Sequence, residues 1–276
     1  MSSIKSSTNP TPHPQFHALS LIVLLTLLGL SLTTPVLAQD NQEPAQLDRE
    51  ALTRALASQN RELTDRLRDP VRKPIDVLEF LQLQAGMSAL DVYAAGGYFT
   101  VVLSHAVGPQ GKVYAQNTSR GLRFEEDRSE LTQGEALAMK IRDNNLQNVI
   151  RIDEPVTEMS IPAEAMDFIL VSQILHDYHN SNPLRALEML TALHRVLKPG
   201  GILGIIDHVG AEQLDNRRLH RMLKTDAVTI VEQAGFILEA DSDLLANTAD
   251  NYRRSIFDPM LNRTTDQFLL RFRKPD

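Results

Sequence analysis

QAGMSALDVYAAGGYFTVVLSHAVGPQGKVYAQN, residues 84–117, is the stretch that decides the fold. A turn at Ala85-Gly86 precedes a predicted strand over 89–93, and small residues then lead into a predicted helix over 98–107. A Gly-Pro-x-Gly turn and a second predicted strand over 112–116 follow. The stretch therefore predicts two parallel strands joined by a crossover helix.

Strand and helix signals alternate through the rest of the chain. The expected elements are a helix within 129–144, strands over 149–152, 166–171 and 202–207, and a helix over 184–197 that ends at KPGG. Strands that alternate with helices in this way predict an α/β fold whose mostly parallel sheet is covered on both faces. Such sheets bind ligands at the carboxyl ends of their strands, near the point where the strand order reverses.

The segment before this sheet has a different pattern. Residues 47–67 carry apolar side chains at helical spacing among many charges, which predicts an amphipathic helix that ends at the prolines of RDPVRKP, residues 68–74. A short helix is expected over 75–83. We therefore expect a linker with an N-terminal helix over 39–74 and one domain over 75–276.

The N-terminus is typical of a secretory leader. LSLIVLLTLLGLSL, residues 19–32, is followed by TTPVLAQD, which places small or apolar residues at Val36 and Ala38 as a signal-peptidase site requires. The apolar run is shorter than the roughly 20 residues of a membrane span. We expect a signal peptide over 1–38, cleavage after Ala38 and export to the periplasm, with an uncleaved inner-membrane anchor as the alternative.

The composition restricts the class of partner. The chain has 276 residues, a net charge of −7 and no cysteine. Because a net negative chain offers no broad positive surface to neutralise phosphates, nucleic acid is not expected as a partner. The absence of cysteine excludes disulfide bonds. We expect a small-molecule substrate, and membrane contact only through an uncleaved leader.

Several strings, taken in order, resemble a known family. DVYAAGGYFT (91–100), MDFILVSQILHD (166–177) and LKPGGILGIID (197–207) are similar to the corresponding parts of class I S-adenosylmethionine-dependent methyltransferases. With EQAGFILEADSDLLAN (232–247) and TDQFLLRFRKP (265–275), the chain also resembles an exported predicted-methyltransferase family of bacteria. The resemblance implies a Rossmann-like fold, a seven-stranded sheet with a C-terminal antiparallel hairpin, methyltransferase activity and S-adenosyl-L-methionine as cofactor.

The turn in DVYAAGGYFT is the expected cofactor site. Glycines in such a turn permit positive φ and close approach of the backbone, while the following helix offers free N–H groups. In the family pattern an acidic residue precedes three spaced glycines; here Asp91 and Gly97 keep the pattern, Tyr93 and Ala95 replace two glycines, and Gly96 supplies one a place later. The resemblance implies cofactor contacts from Asp91, Ala94, Gly96, Gly97, Tyr98, Asn117 and Glu154.

Three positions depart from the family pattern. Tyr93 is expected beside the methionine-binding space, unless the turn directs it outward. Asn117 stands where the family places a carboxylate for the ribose hydroxyls, and Pro155 where it places an aspartate for the adenine. Losing a charged acceptor costs roughly 1.5–3 kcal/mol. A noncatalytic protein that retains the fold and binds another small molecule is therefore the alternative function.

SQILHDYHN, residues 172–180, follows a predicted buried strand. We expect His176, Asp177, His179 and Asn180 in the loop at the carboxyl end of that strand. LHD here also resembles plant-type phenolic O-methyltransferases, which implies that His176 is the general base for a hydroxyl acceptor. Histidine suits that task because it titrates near neutral pH. The alternative is that His176 caps a helix or bonds to a backbone carbonyl.

Asp207 and His208 end the next strand, so we expect them beside this cluster. The expected catalytic residues are His176, Asp177, Asp207 and His208. No compact metal motif such as HExxH is present, so no metal site is predicted. A divalent cation on His176, His179, Asp207 and His208 is the alternative. Arg72 is expected at a solvated helix end, with a binding role as the alternative.

Overall fold

A seven-stranded sheet lies at the centre of the protein, whose computed structural model describes residues 46–118 and 131–276. The strands are β1 (Ser88–Val92), β2 (Lys112–Asn117), β3 (Val149–Asp153), β4 (Met166–Ser172), β5 (Leu197–His208), β6 (Ile237–Ser242) and β7 (Gln267–Arg273). Their order in the sheet is β3-β2-β1-β4-β5-β7-β6. β1 to β5 are parallel, and β7 is antiparallel to both β5 and β6. The predicted Rossmann-like fold with a C-terminal antiparallel hairpin is confirmed.

Helices precede the sheet and pack on both of its faces. They are α1 (Arg49–Leu56), α2 (Leu63–Arg72), α3 (Pro74–Phe80), α4 (Tyr98–Val107), α5 (Gln133–Asp143), α6 (Leu175–Ser181), α7 (Pro183–Val196), α8 (Asn216–Leu219) and α9 (Lys224–Gln233). Short 3₁₀ turns occur at Val156–Glu158, Asp243–Leu245 and Pro259–Leu261. α4 spans the residues that the sequence predicted, because nearly all of its side chains are apolar and buried.

The hydrophobic core consists of two layers, one on each face of the sheet. In β4, Phe168 and Leu170 pack against α1, α3 and α4, whereas Ile169 and Val171 pack against α7 and α9. Successive side chains of a strand point to opposite faces, so an unbroken apolar strand is buried on both sides. This pattern explains why β4 was recognisable in the sequence as a buried strand.

The single N-terminal helix expected over 47–67 is wrong. The structure has two helices there, α1 and α2, separated at residues 57–62. Pro70 lies inside α2 and does not end it, although a proline cannot donate to the carbonyl four residues earlier. Side-chain contacts hold α2 against the sheet domain, as Lys140 Nζ lies 2.6 Å from Asp65 Oδ2 and the Tyr98 hydroxyl donates to Asp69 at 2.7 Å.

Two boundaries near the predicted polar cluster also differ. SQILHDYHN, expected as a loop, contains helix α6, which packs against α7 and α8. A seven-residue polar helix has too little apolar periodicity to be recognised from sequence. β5 begins at Leu197, ahead of KPGG, because Leu197 pairs with Met166 of β4.

The strand order places a crevice at the carboxyl end of β1. The chain passes from β1 to β2 on one side, while β4 pairs with β1 on the other. Ligand sites of open α/β sheets lie at such a point. The described residues belong to one compact unit. Within the described ranges, no helix is both long and apolar enough to cross a membrane; the predicted leader lies outside them.

Candidate functional site

The turn after β1 retains the backbone shape of a glycine-rich turn although two of the family's glycines are replaced. Tyr93 has φ 57°, Ala95 φ 50° and Gly97 φ 87°, all in the left-handed region. Gly96 has no positive φ, so it does not take over the role of a lost glycine. A left-handed residue with a Cβ costs about 1–2 kcal/mol. The protein therefore retains two strained residues at the places where the family has glycine.

The end of β2 holds this turn in place. The Tyr93 N–H donates to Gln116 Oε1 at 3.0 Å, and the Ala94 N–H donates to the Gln116 carbonyl at 2.8 Å. The Asn117 amide accepts from the Ala95 N–H at 2.9 Å and donates to the Ala95 carbonyl at 3.1 Å. Asn117 thus braces the turn with both ends of its amide, and ribose binding by Asn117 stays a prediction.

Asp91 is buried under the turn at the start of α4. Its Oδ2 accepts from the Thr100 hydroxyl at 2.7 Å. Burial raises the pKa of Asp91 to about 7, although the Thr100 hydrogen bond and the charge of Arg72 act in the opposite direction. Asp91 therefore changes its charge near neutral pH.

The other residues predicted for the cofactor have mainly internal contacts. Ala94 packs against Ala115 and Leu137. A Cβ on Gly97 would lie 2.6 Å from Leu137 Cδ1, so the close packing itself requires glycine. The Tyr98 ring is buried beneath Arg72, and Glu154 bonds to Ser160, whose N–H donates to it at 2.6 Å. Their predicted contacts to a cofactor remain predictions.

Arg72 is the last residue of α2, but its side chain is half-buried and not solvated as the sequence predicted. Its guanidinium lies 4.4 Å from the centroid of the Tyr98 ring and donates to Gln173 Oε1 at 3.1 Å. Burial lowers the pKa of Arg72 to about 10, and the side chain remains a cation at neutral pH. Across the described residues, no carboxylate forms an ion pair with it. The sequence signal for this position was only its place just before the first strand.

His176 and Asp207 form a buried pair at the ends of β4 and β5. His176 Nδ1 lies 2.7 Å from Asp207 Oδ1, and the His176 N–H donates to Asp207 Oδ2 at 2.9 Å. Two contacts from one carboxylate fix both the backbone and the ring of His176. The predicted proximity of the two strand ends is confirmed.

Asp177 and His220 complete the cluster on its solvent side. Asp177 Oδ1 lies 3.2 Å from His176 Nε2 and 3.0 Å from His220 Nδ1. His176 Nε2 makes no hydrogen bond among the described residues, and its contact with Asp177 is an ion pair only. His220 lies between α8 and α9 with φ 53°.

The charges around His176 change its protonation. Burial alone would lower the pKa of His176, but Asp207 and Asp177 outweigh it and raise the pKa to about 10. Burial raises the pKa of Asp207, yet His176 outweighs that effect and holds it below the usual value. The reason given for His176 as a general base, an ordinary pKa near neutrality, therefore does not hold in this structure. Its catalytic role stays a prediction.

His208 belongs to a second polar chain that ends at Arg72. Its Nδ1 lies 2.7 Å from Thr265 Oγ1, and burial lowers the pKa of His208 to about 3. Gln267 Nε2 bonds to Thr265 Oγ1 at 3.4 Å, and Gln173 Nε2 donates to Gln267 Oε1 at 3.0 Å. Gln173 in turn accepts from Arg72. These hydrogen bonds connect Arg72 to His208 through three neutral polar side chains.

The alternative metal site predicted from the sequence named the wrong residues apart from His176. The ligand atoms that the structure brings within 4.8 Å of one another belong to His176, Asp177 and His220. Asp207 is committed to His176 and to the His208 N–H, while His179 lies apart from this group with its Nδ1 buried and without a hydrogen-bond partner in the described structure.

The apolar side of the site comes from three rings. Tyr93 of the turn meets Tyr178 of α6 edge to face, with ring centroids 6.5 Å apart. Phe257 packs on His220 with centroids 4.8 Å apart. The turn and the histidine cluster therefore face one another across aromatic side chains, as a site for a partly apolar molecule requires.

Comparisons with known proteins agree with this geometry. Residues 74–152, which contain the turn, match the family model for protein-L-isoaspartate(D-aspartate) O-methyltransferase. A demethylmenaquinone methyltransferase from Geobacillus stearothermophilus is 33% identical over 46% of this chain and 47% of its own length. The corresponding protein of Geobacillus kaustophilus is 31% identical over the same shares. The chain thus spans about half the length of the curated relatives that it matches.

Solved structures extend the likeness to most of the chain. A SAM-dependent methyltransferase from Aquifex aeolicus has a TM-score of 0.54 and 23% identity, over 82% of this chain and 98% of that one. The [4+2]-cyclase SpnF also has a TM-score of 0.54, with 17% identity, over 84% of this chain and 98% of that one. The resemblance to class I S-adenosylmethionine-dependent methyltransferases is confirmed in the fold, and residues 74–152 match a methyltransferase family model.

Proposed function

We propose that the protein is an S-adenosylmethionine-dependent methyltransferase that acts on a hydroxyl or a similar nucleophile of a small molecule. One observation carries the proposal: the turn after β1 keeps left-handed residues at 93, 95 and 97 although two of them are not glycine. Strain of this kind persists only where the surrounding structure enforces it, and it is concentrated at functional sites.

The residues around the turn fit the methionine end of this cofactor. Arg72 is a half-buried cation at the crevice with no carboxylate paired to it among the described residues. Such a guanidinium is suited to bind a carboxylate. Burial disfavours the charged carboxylate of Asp91, and a cation bound nearby would stabilise it. When bound, S-adenosylmethionine supplies a methyl group on a positively charged sulfur.

The acceptor would lie between the turn and the cluster of His176, Asp177 and His220. Tyr93 and Tyr178 provide an aromatic wall for it, and the cluster provides polar atoms for a hydroxyl. Orientation of the acceptor supplies much of the rate in such a transfer, since both reactants are held by the same site. His176, Asp177, Asp207 and His208 remain the proposed catalytic residues.

A quinol is the first acceptor to examine. The curated relatives are named for demethylmenaquinone, an aromatic molecule in its reduced form, and the site of this chain is lined by aromatic rings. We propose that the acceptor has a similar ring with a hydroxyl group. The corresponding assay measures transfer of a labelled methyl group from S-adenosylmethionine to a demethylmenaquinol extract.

Calorimetric titration with S-adenosylhomocysteine tests the cofactor site. Arg72→Met should weaken binding by roughly 10- to 150-fold, because a hydrogen bond to a charged group contributes about 1.5–3 kcal/mol. Arg54→Met is the matched control, since Arg54 is 70% exposed on α1. Equal affinity of the two variants would show that Arg72 does not bind the cofactor carboxylate. Absence of binding to the wild-type protein would refute the proposed function.

A noncatalytic binding protein is the second candidate, favoured by the way the ribose and adenine positions are used. Asn117 is bonded to the backbone of Ala95, and Glu154 is bonded to Ser160. Asn117 stands at the ribose position and Glu154 directly before Pro155 of the adenine position, and both side chains are thus engaged within the protein. Fold does not determine function, and the [4+2]-cyclase with the same fold is named for another reaction. If millimolar S-adenosylmethionine did not change the melting temperature of the protein, that result would favour this candidate.

We also propose that the protein is exported, with the leader over 1–38 as the signal. The support is the apolar run followed by a small-residue cleavage site. Fractionation of cells that express the full chain tests this proposal. The mature protein should appear in the periplasm with Gln39 as its first residue, and recovery of an uncleaved chain in the membrane fraction would support the anchor instead.

A further inference from the structure

Three side chains from separate parts of the chain present ligand atoms to one point beside the acceptor region. They belong to His176, Asp177 and His220. Asp177 Oδ1 lies 3.2 Å from His176 Nε2 and 3.0 Å from His220 Nδ1, and one ligand atom from each of the three residues lies within 4.8 Å of the others. Ligand atoms about 2.0–2.1 Å from a tetrahedral zinc ion are roughly 3.3 Å apart. The two distances from Asp177 Oδ1 are therefore close to those of a zinc-type site.

His176 Nε2 is the atom that sets this cluster apart from an ordinary surface ion pair. The side chain of His176 is only 2% exposed, and its Nε2 has no hydrogen-bond partner among the described residues. A buried nitrogen without a partner is costly. It is directed toward Asp177 and His220, so one bound ion would satisfy it.

Asp207 supports His176 from behind, as an outer-shell carboxylate does in metal sites. Its Oδ1 lies 2.7 Å from His176 Nδ1, which leaves the other ring nitrogen free to be a ligand. Metal-bound histidines nearly always use their second nitrogen in this way. Asp207 is completely buried, so the ring of His176 is held in one orientation.

His220 is also held in place before any ligand binds. It has a left-handed backbone at the end of α8, and its ring packs between those of His176 and Phe257, with centroids 5.7 and 4.8 Å away. The next residue, Arg221, forms a fully buried ion pair with Asp250 at 2.9 Å. The buried ion pair of Arg221 therefore anchors the loop that carries His220.

Charge and access favour a divalent ion. Asp177 and Asp207 bring two negative charges to the cluster, and a doubly charged cation that replaces the proton on His176 Nε2 balances both. The side chains of Asp177 and His220 are 46% and 34% exposed, so an ion can enter from their side.

We propose that His176, Asp177 and His220 bind a divalent cation of the zinc class, with Asp207 as the positioning residue and one coordination position open to the acceptor. Three protein ligands with an open position are the arrangement of catalytic zinc sites. The use of the open position for an acceptor oxygen rests on the proposed methyl transfer, whereas binding of the cation does not. With the cation bound, His176 is a ligand, and the acidity of the hydroxyl comes from the cation.

Titration of Co²⁺ into the full-length protein, purified without a histidine tag and freed of metal with EDTA, tests the site. We expect one Co²⁺ per chain with the intense visible absorption of four-coordinate cobalt, and competition by Zn²⁺. Asp177→Asn and His220→Ala should each weaken binding by about 100-fold, and Asp207→Asn by about 10- to 100-fold. His105→Gln on α4 is the control and should bind as the wild type does. Far-UV circular dichroism verifies that each variant is folded.

Two results would overturn the inference. One is the absence of this absorption at millimolar Co²⁺. It would mean that the cluster binds no cation and is held by hydrogen bonds and ion pairs only. The other is equal affinity in the wild type, Asp177→Asn and His220→Ala, which would place the ion elsewhere. Because the titration contains neither cofactor nor acceptor, either result leaves the proposed methyl transfer standing, and loss of S-adenosylhomocysteine binding would leave the cation site standing.

Discussion

Replacement of Asp91 by asparagine should change how the stability of the protein depends on pH. The carboxyl of Asp91 is buried, and burial raises its pKa from 3.8 to about 7. The folded state therefore binds a proton that the unfolded state has released between these two values. The stability that this proton provides is fully present below pH 3.8 and is lost as the pH rises through 7.

The size of the effect follows from the shift. Each pKa unit corresponds to about 1.36 kcal/mol, so a shift of about three units amounts to roughly 4 kcal/mol over the full range. Between pH 5 and pH 8 the corresponding change is about 2–3 kcal/mol. Asparagine has a similar shape and no charge, so Asp91→Asn should gain this amount relative to the wild type as the pH is raised from 5 to 8.

Urea unfolding followed by far-UV circular dichroism at several pH values measures this difference. Glu239→Gln is the matched control: the hydrogen bond from Arg273 lowers the pKa of Glu239 below 4.5, so its difference from the wild type should be constant over the same range. If the difference for Asp91→Asn were equally constant, Asp91 would be charged throughout, and the crevice would have to be far better solvated than its burial indicates.

Two further substitutions test the strain of the turn and the anchor of the histidine loop. Ala95→Gly should raise the free energy of unfolding by about 0.5–1 kcal/mol, because Ala95 has φ 50° and glycine adopts that conformation without strain. Ala51→Gly inside α1 should lower it by a similar amount; a loss in both variants would mean that Ala95 is unstrained. Arg221→Met should cost about 3–5 kcal/mol in urea unfolding, since it leaves the buried Asp250 without its cation, and a loss below about 1 kcal/mol would contradict that role.

Local sequence signals were sufficient for most of the sheet. β1, α4 and β2 lie where the predicted strand–helix–strand unit placed them, because their apolar runs and turn residues act over a few neighbouring positions. The pairing of β4 with β5 explains why Asp207 lies beside His176, which the parallel arrangement already predicted. Positions beyond the reach of such local patterns, such as the break between α1 and α2 and the helix α6, were missed.

By itself, the sequence determined the fold class, the place of the turn after β1 and the strand ends at which polar residues gather, because each depends on short-range periodicity and on the rules of parallel sheets. Only the tertiary structure decided the partners within the site. His220 meets Asp177 across 43 positions of the chain, and Arg72 meets Gln173 across 101. Such contacts depend on how loops pack over the completed sheet. No pattern of neighbouring residues encodes that packing, so the members of the site became visible only once the whole chain was folded.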